Sequence, residues 1–175
     1  MNKGALMPSR KTCSPPEVHL LGEIVVAFGN LELSLEVSLW QFLASEDDRE
    51  RFLMVQALTA GMSFGRKVDA FASMFRQKGI AQAERELAAL TKELCDAEKE
   101  RNQLIHSAWN YTNIWGGGSF MRMKATANSK RGLRRGFHRM PPGRIEETLR
   151  HIEEAAQSLA RFTVAYIQAP EASES

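Results

Sequence analysis

The segment Ile80–Trp109, IAQAERELAALTKELCDAEKERNQLIHSAW, decides how the rest of the chain reads. Its apolar residues recur at alternating steps of three and four, through Ile80, Ala83, Leu87, Leu90, Leu94, Ala97, Leu104 and Ala108. That spacing lays one stripe along one face of an α-helix, and the intervening Glu, Lys, Gln and Arg are good helix formers. The pattern predicts a helix from about Ile80 to Ala108. One place on the stripe, between Ala97 and Leu104, is Arg101. A guanidinium there points at a packed surface and has to be hydrogen-bonded or paired, because desolvating an unpaired charge costs several kcal/mol. Asn102 and His106 are four apart and share a neighbouring face, while Arg101 and His106 stand roughly 140° apart on an ideal helix.

A long one-sided helix needs other helices to bury its stripe, and the chain upstream supplies them. Residues 1–13 have no periodicity and read as a flexible tail. Ser14-Pro15-Pro16-Glu17 is a helix start, with Ser14 as N-cap, Pro15 at the first helical position and Glu17 closing a capping box. The helix it opens runs to about Ala44, with the stripe Leu21, Ile24, Phe28, Leu31, Leu35, Leu39 and Phe42. Glu32 lies at the edge of that stripe, either solvated or paired with a buried base such as Arg101. Ser45-Glu46-Asp47-Asp48 caps a short helix through Phe52, Val55 and Leu58, ended by Gly61. Ser63 caps a third, with Phe64, Val68, Phe71 and Phe75 on one face, stopped by Gly79.

Downstream the period changes. Trp109–Trp115 alternates large and polar residues, Gly116-Gly117-Gly118-Ser119 follows, and Phe120–Thr126 alternates back, a β-hairpin pattern over 109–126. The glycine run lacks a following Lys-Ser or Lys-Thr and a helix start, so it reads as a turn and not as a phosphate loop. Residues 127–143 read as a basic, glycine-spaced loop ending at Pro141-Pro142-Gly143. A last helix runs from about Arg144 to Gln168 through Ile145, Leu149, Ile152, Ala156, Leu159, Phe162 and Ile167, and residues 170–175 form a polar tail. The expected fold is therefore all-α: one domain over residues 14–169, an antiparallel bundle of four main helices and one short helix, with a β-hairpin inserted before the last helix.

The chain has 175 residues, enough for one domain with a real core, and its 43% hydrophobic and 25% charged content is that of an ordinary globular protein. No stretch reads as an uninterrupted apolar run of about 18 residues, and the N-terminus has no apolar signal core. The expectation is a cytoplasmic protein without a membrane segment. Cys13 and Cys95 are too few and too scattered for a disulfide framework or a zinc site, and Cys95, inside a helix, reads as a packed thiol. The four histidines, His19, His106, His138 and His151, have no H-x3-H or HExxH spacing, so no metal and no cofactor is expected. Glu147 and His151 read as a surface i,i+4 pair. The net charge of +2 hides an asymmetry. Between Arg101 and Ile145 lie Arg101, Arg122, Lys124, Lys130, Arg131, Arg134, Arg135, Arg139 and Arg144 and no acidic residue, so all the excess positive charge follows the long helix.

The string RNQLIH, Arg101 to His106, is the R-x4-H form of the R-x4-6-H motif and resembles that of the HEPN superfamily, small helical bundles that commonly cleave RNA. AFGNLELSLE, residues 27–36, and TAGMSFGRKVDAF, residues 59–71, are similar to bacterial proteins of that group. The resemblance spans most of the chain, and the motif is the part with a functional meaning. It implies metal-independent RNA cleavage leaving a 2′,3′-cyclic phosphate, with Arg101 and His106 as the working pair, on a homodimer that places two motifs around one cleft. Such a protein is plausible as a toxin or defence effector with a cognate antitoxin. The residues agree with that chemistry. An imidazole exchanges protons near neutral pH, Arg101 can neutralise charge on phosphoryl oxygens, and Asn102 can donate to the phosphate or orient the ring. Arg122, Lys124, Lys130, Arg131, Arg134, Arg135 and Arg139 would hold the RNA backbone, a salt-sensitive interaction. Trp109, Tyr111, Trp115, Phe120 and Phe137 either stack on bases or pack in the core. The competing expectation is a non-catalytic dimerisation or regulatory module that binds RNA, nucleotide or an acidic partner protein, with Arg101 tying two helices.

Overall fold

A computed structural model describes residues 15–43, 49–77, 79, 83–112, 119–128 and 132–168; at 15, 43, 49, 51–52, 110–112, 119–120, 124–128, 132–135, 137 and 168 it describes the backbone alone. The elements are α1 (Pro15–Leu43), α2 (Arg49–Thr59), α3 (Phe64–Gln77), α4 (Glu84–Ile105), β1 (Ala108–Thr112), β2 (Ser119–Asn128), β3 (Gly132–Arg139) and α5 (Arg144–Thr163), which runs on into a π-helical turn, Val164–Gln168. The N-terminal tail, the caps expected at Ser14 and Ser45, Ile80 and the glycine turn lie outside the described residues.

The bundle is built around α1, which packs against each of the other four helices. Its inward residues Ile24, Phe28, Leu31, Leu35 and Leu39 are buried, as the stripe predicts. Those of α4 are Leu87, Leu90, Leu94, Ala97 and Leu104, and those of α5 include Ile145, Ile152, Leu159 and Phe162. Two aromatic groups divide the core. Phe71, Phe75, Phe162 and Tyr166 meet in edge and tilted contacts toward one end, and Phe28 packs on Phe64 with ring centroids 4.7 Å apart toward the other. The buried hydroxyls of Ser38 on α1 and Thr163 on α5 pair with each other, Oγ and Oγ1 being 2.9 Å apart, so neither carries the full desolvation penalty of an unpaired group. Gly79, at φ 69°, takes the left-handed conformation that stops the helix before it.

One expectation changes, and one feature of composition stands beside it. The segment expected as a basic loop contains a strand: β3 pairs antiparallel with β2, and β2 with β1, in a three-stranded sheet of order β1-β2-β3. Its Arg- and Gly-rich sequence has no apolar alternation, so pairing with β2 and not an apolar face makes it a strand. Pro16–Phe42 is also long and apolar enough, by length and composition, to cross a membrane, with a mean hydropathy of 1.4 over its best window. Scattered glutamates and glycines break the run that a search for continuous apolar sequence requires.

Glu32 pairs with a buried base, but the base is Lys67 and not Arg101. Lys67, 4% exposed on α3, reaches Glu32 Oε1 at 2.6 Å and Glu36 Oε1 at 2.5 Å. Burial alone would lower its pKa, but the hydrogen bonds and charges of the two carboxylates outweigh burial and hold it above the ordinary lysine value.

Candidate active site

The motif lies on the last turn of α4, where the helix stops at Ile105. A helix end leaves its final carbonyls without partners, and here the following residues fill them. The His106 amide donates to Asn102 O, and the Ser107 amide to Leu104 O. Ser107 Oγ donates to Gln103 O at 2.5 Å. The sheet adds two side-chain donors. Trp109 Nε1 donates to Leu104 O at 2.9 Å, and Arg122 Nη1 to Gln103 O at 3.1 Å. Trp109 and Arg122 are directly opposed in the β1–β2 register, so one face of the sheet caps α4 with an indole and a cation, the charge that a helix C-terminus favours. Trp109 is part-buried against the core, a packing role and not an open stacking face.

This termination brings Arg101 and His106 together. The 140° separation expected for them assumes that the helix continues through His106. Instead His106 has left the helix, with φ −89° and ψ 22°, and Arg101 Nη1 lies 3.3 Å from His106 Nε2. A guanidinium only donates, so Nε2 is the acceptor and the neutral ring carries its proton on Nδ1. The same Nη1 donates to Asn102 Oδ1 at 2.8 Å. Beneath them, the Arg101 guanidinium carbon is 5.2 Å from the centroid of the Phe28 ring, a cation–π distance. Arg101 Nε is buried without a hydrogen-bond partner among the described residues. Arg101 and Asn102 are half-buried and His106 is exposed, so the imidazole faces solvent from a fixed base.

The basic set expected to hold RNA is reported only in part by the structure. Lys124, Arg134 and Arg135 lie on strands, with side chains outside the described residues; Lys130 and Arg131 lie outside them altogether, as do the side chains of Tyr111, Phe120 and Phe137 and all of Trp115. Arg122 turns inward to cap α4, and Arg139 is exposed at the end of β3.

Sequence reasoning missed a second polar group next to the motif. Glu100 Oε1 accepts from Arg144 at 3.0 Å, and Oε2 lies 3.0 Å from His151 Nδ1. Glu147, the expected partner of His151, bonds Arg144 instead at 2.7 Å, which holds its carboxyl below the usual range. No spacing in the sequence signals this, because Glu100 and His151 meet through the packing of α4 on α5. Cys95 is exposed, not packed; partial desolvation and the carboxylates of Glu98, Asp69 and Asp96 push its thiol above the ordinary value, which disfavours the nucleophilic thiolate. No group of three or more metal-ligating side chains forms among the described residues.

Compared with protein-family models, with curated proteins and with solved structures, the chain gives no match.

Proposed function

We propose that this chain is a HEPN-like, metal-independent endoribonuclease acting as a homodimer. The observation that carries the reading is the 3.3 Å approach of Arg101 Nη1 to an exposed His106 Nε2, with Asn102 on the same guanidinium. A phosphodiester entering there displaces the Arg101–His106 contact. The guanidinium then turns its donors on the phosphoryl oxygens, and Nε2 is released as a base. The 2′-oxygen bonds to phosphorus while its proton passes to Nε2; the bond from phosphorus to the 5′-oxygen breaks, and that oxygen takes a proton. The products are a 2′,3′-cyclic phosphate and a 5′-hydroxyl. The step uses one base and one acid, and the motif in one chain presents a single imidazole. A second copy supplies the other.

Support for a second copy comes from α1. Val18, Val25, Val26 and Leu33 are each 46% exposed or more, with Gly22 and Gly29 between them on the solvent side. A two-fold contact along this stripe would bury it, and in the proposed dimer the two motifs share one cleft. A toxin or defence role, with a cognate antitoxin, fits such an enzyme, and RNA and the second copy are its proposed partners in the cytoplasm.

The second reading, a non-catalytic module that binds RNA, nucleotide or an acidic protein, draws on the internal bonding of Arg101 to Phe28 and Asn102. Incubation with total RNA and with tRNA in EDTA separates the two. The ribonuclease cleaves, leaves cyclic-phosphate ends and loses activity in Arg101→Ala and His106→Ala with helicity retained. Absence of cleavage together with salt-sensitive RNA binding selects the module.

A further inference from the structure

Next to the motif helix lies a cavity of about 170 Å³ between the end of α4, β2, β3 and the start of α5. Its walls include Glu100, Gln103, Arg122, His138, Arg139 and Arg144. Three guanidiniums stand against the carboxylate of Glu100, engaged on both oxygens by Arg144 and by His151, and that of Glu147, which bonds Arg144 from outside the cavity wall. The balance in the cavity is positive even with His138 neutral.

Arg122 is the informative residue. Its Nη1 is committed to Gln103 O, while its Nε–H is buried and meets no acceptor among the described residues. A buried donor left unpaired costs about 1–3 kcal/mol, and more on a cation; a turn of the Arg122 side chain toward the cavity would offer this Nε–H to an oxyanion held there. His138 stands opposite Arg122 in the β2–β3 register, so the two side chains leave the same face of the sheet roughly 5 Å apart. The imidazole of His138 lies over Gly136, where an added Cβ would come within 2.9 Å of Nε2; glycine at that position leaves the ring room beside the strand. The first turn of α5 forms another wall, and its dipole has the same sign as the three guanidiniums. The volume is below the roughly 300–1,000 Å³ of pockets for drug-sized ligands, and it suits one tetrahedral oxyanion.

We propose that this cavity is a phosphoryl-binding site, with Arg122, Arg139 and Arg144 as its charged donors and His138 as a further donor when protonated. The chemistry is the same whether the group arrives as the backbone phosphate of an RNA passing the motif or as free phosphate. Nothing in it requires His106, so it stands apart from the ribonuclease reading.

The test is titration of the full chain with inorganic phosphate, followed by the Arg122 Nε–H resonance and by calorimetry, against sodium chloride at equal ionic strength. A saturable shift of Arg122 Nε–H with phosphate alone is expected. Arg139→Gln, an exposed change that leaves the melting temperature in place, weakens phosphate about tenfold, and His106→Ala leaves it unchanged. An equal response to chloride, or wild-type affinity in Arg139→Gln, overturns the proposal. A deoxy-substituted oligonucleotide that cannot be cleaved then assigns the source: competition with phosphate marks a backbone subsite, and simultaneous binding marks a site for free phosphate. Because His106→Ala ends cleavage but spares this site, failure of one reading is distinguishable from failure of the other.

Discussion

Arg101 rests on Phe28, its guanidinium carbon 5.2 Å from the ring centroid, and Phe28 in turn packs on Phe64. The arginine at the break in the α4 stripe is therefore stabilised by a ring of α1 and not by a carboxylate. Among the described residues no carboxylate pairs with it, which leaves its charge open to a phosphate. Phe28→Leu keeps an apolar side chain but removes the π-face. The expected result is a stability loss of about 1–1.5 kcal/mol and a fall of about tenfold in single-turnover cleavage, the rate equivalent of a cation–π contact of about 1.4 kcal/mol. Unchanged cleavage alongside lowered stability would show that the ring only fills space.

The sheet is tied to α4 through Trp109 Nε1 on Leu104 O and Arg122 Nη1 on Gln103 O. Trp109→Phe deletes the first tie and leaves a buried carbonyl with one donor fewer, at a cost of about 1 kcal/mol. Amide hydrogen exchange should quicken in β1 and β2 and in the last turn of α4, while the amides of α1 around Leu31 and Leu35 keep their protection. A uniform change across the chain would mean that the sheet and the bundle open as one unit.

α1, α3, α4 and α5 are legible in the sequence because each buries a stripe, and every stripe residue of α4 from Leu87 to Leu104 except Arg101 is buried; α2 buries Val55 of its expected face but leaves Leu58 63% exposed. The motif is legible too, but its geometry is not. Angles on an ideal helix separate Arg101 from His106, and only the stop at Ile105, imposed by a sheet that caps the final carbonyls, brings them to 3.3 Å. β3 escapes notice because its sequence, GLRRGFHR, carries no sustained apolar period; its pairing comes from β2. Lys67 was open to discovery: it lies between Phe64 and Phe71 on the inward face of α3, the same kind of charged interruption as Arg101. The Glu100–His151 contact has no local signal, since the two residues are fifty-one positions apart.

Lys67 holds Glu32 and Glu36 together from a 4% exposed position. Lys67→Met leaves two carboxylates facing each other without a cation. We expect a loss of roughly 2–3 kcal/mol in denaturant melts, less than for a fully buried pair because both carboxylates remain partly exposed. The pH dependence follows from the raised folded pKa. A lysine whose folded value exceeds its unfolded one contributes its full stability below the unfolded value, near 10.5, and loses it as pH rises through the folded value. The wild type should therefore weaken above about pH 10.5 more steeply than Lys67→Met; parallel curves would show that the lysine is not coupled to folding.

The exposed stripe of α1 sets the remaining expectation. Val26 is 64% exposed and Leu33 53%, seven residues apart on one face, so Val26→Asp with Leu33→Asp charges the proposed two-fold contact without touching the core stripe. By sedimentation equilibrium the wild type should run at twice the chain mass and the double variant at 19.6 kDa, with helicity unchanged by circular dichroism. Cleavage should fall at least a hundredfold with dissociation, because a general acid contributes about 10²–10⁴ in rate and the lone chain has only one imidazole at its motif. A monomeric variant that still cleaves at the wild-type rate would place base and acid within a single chain and remove the second copy from the mechanism.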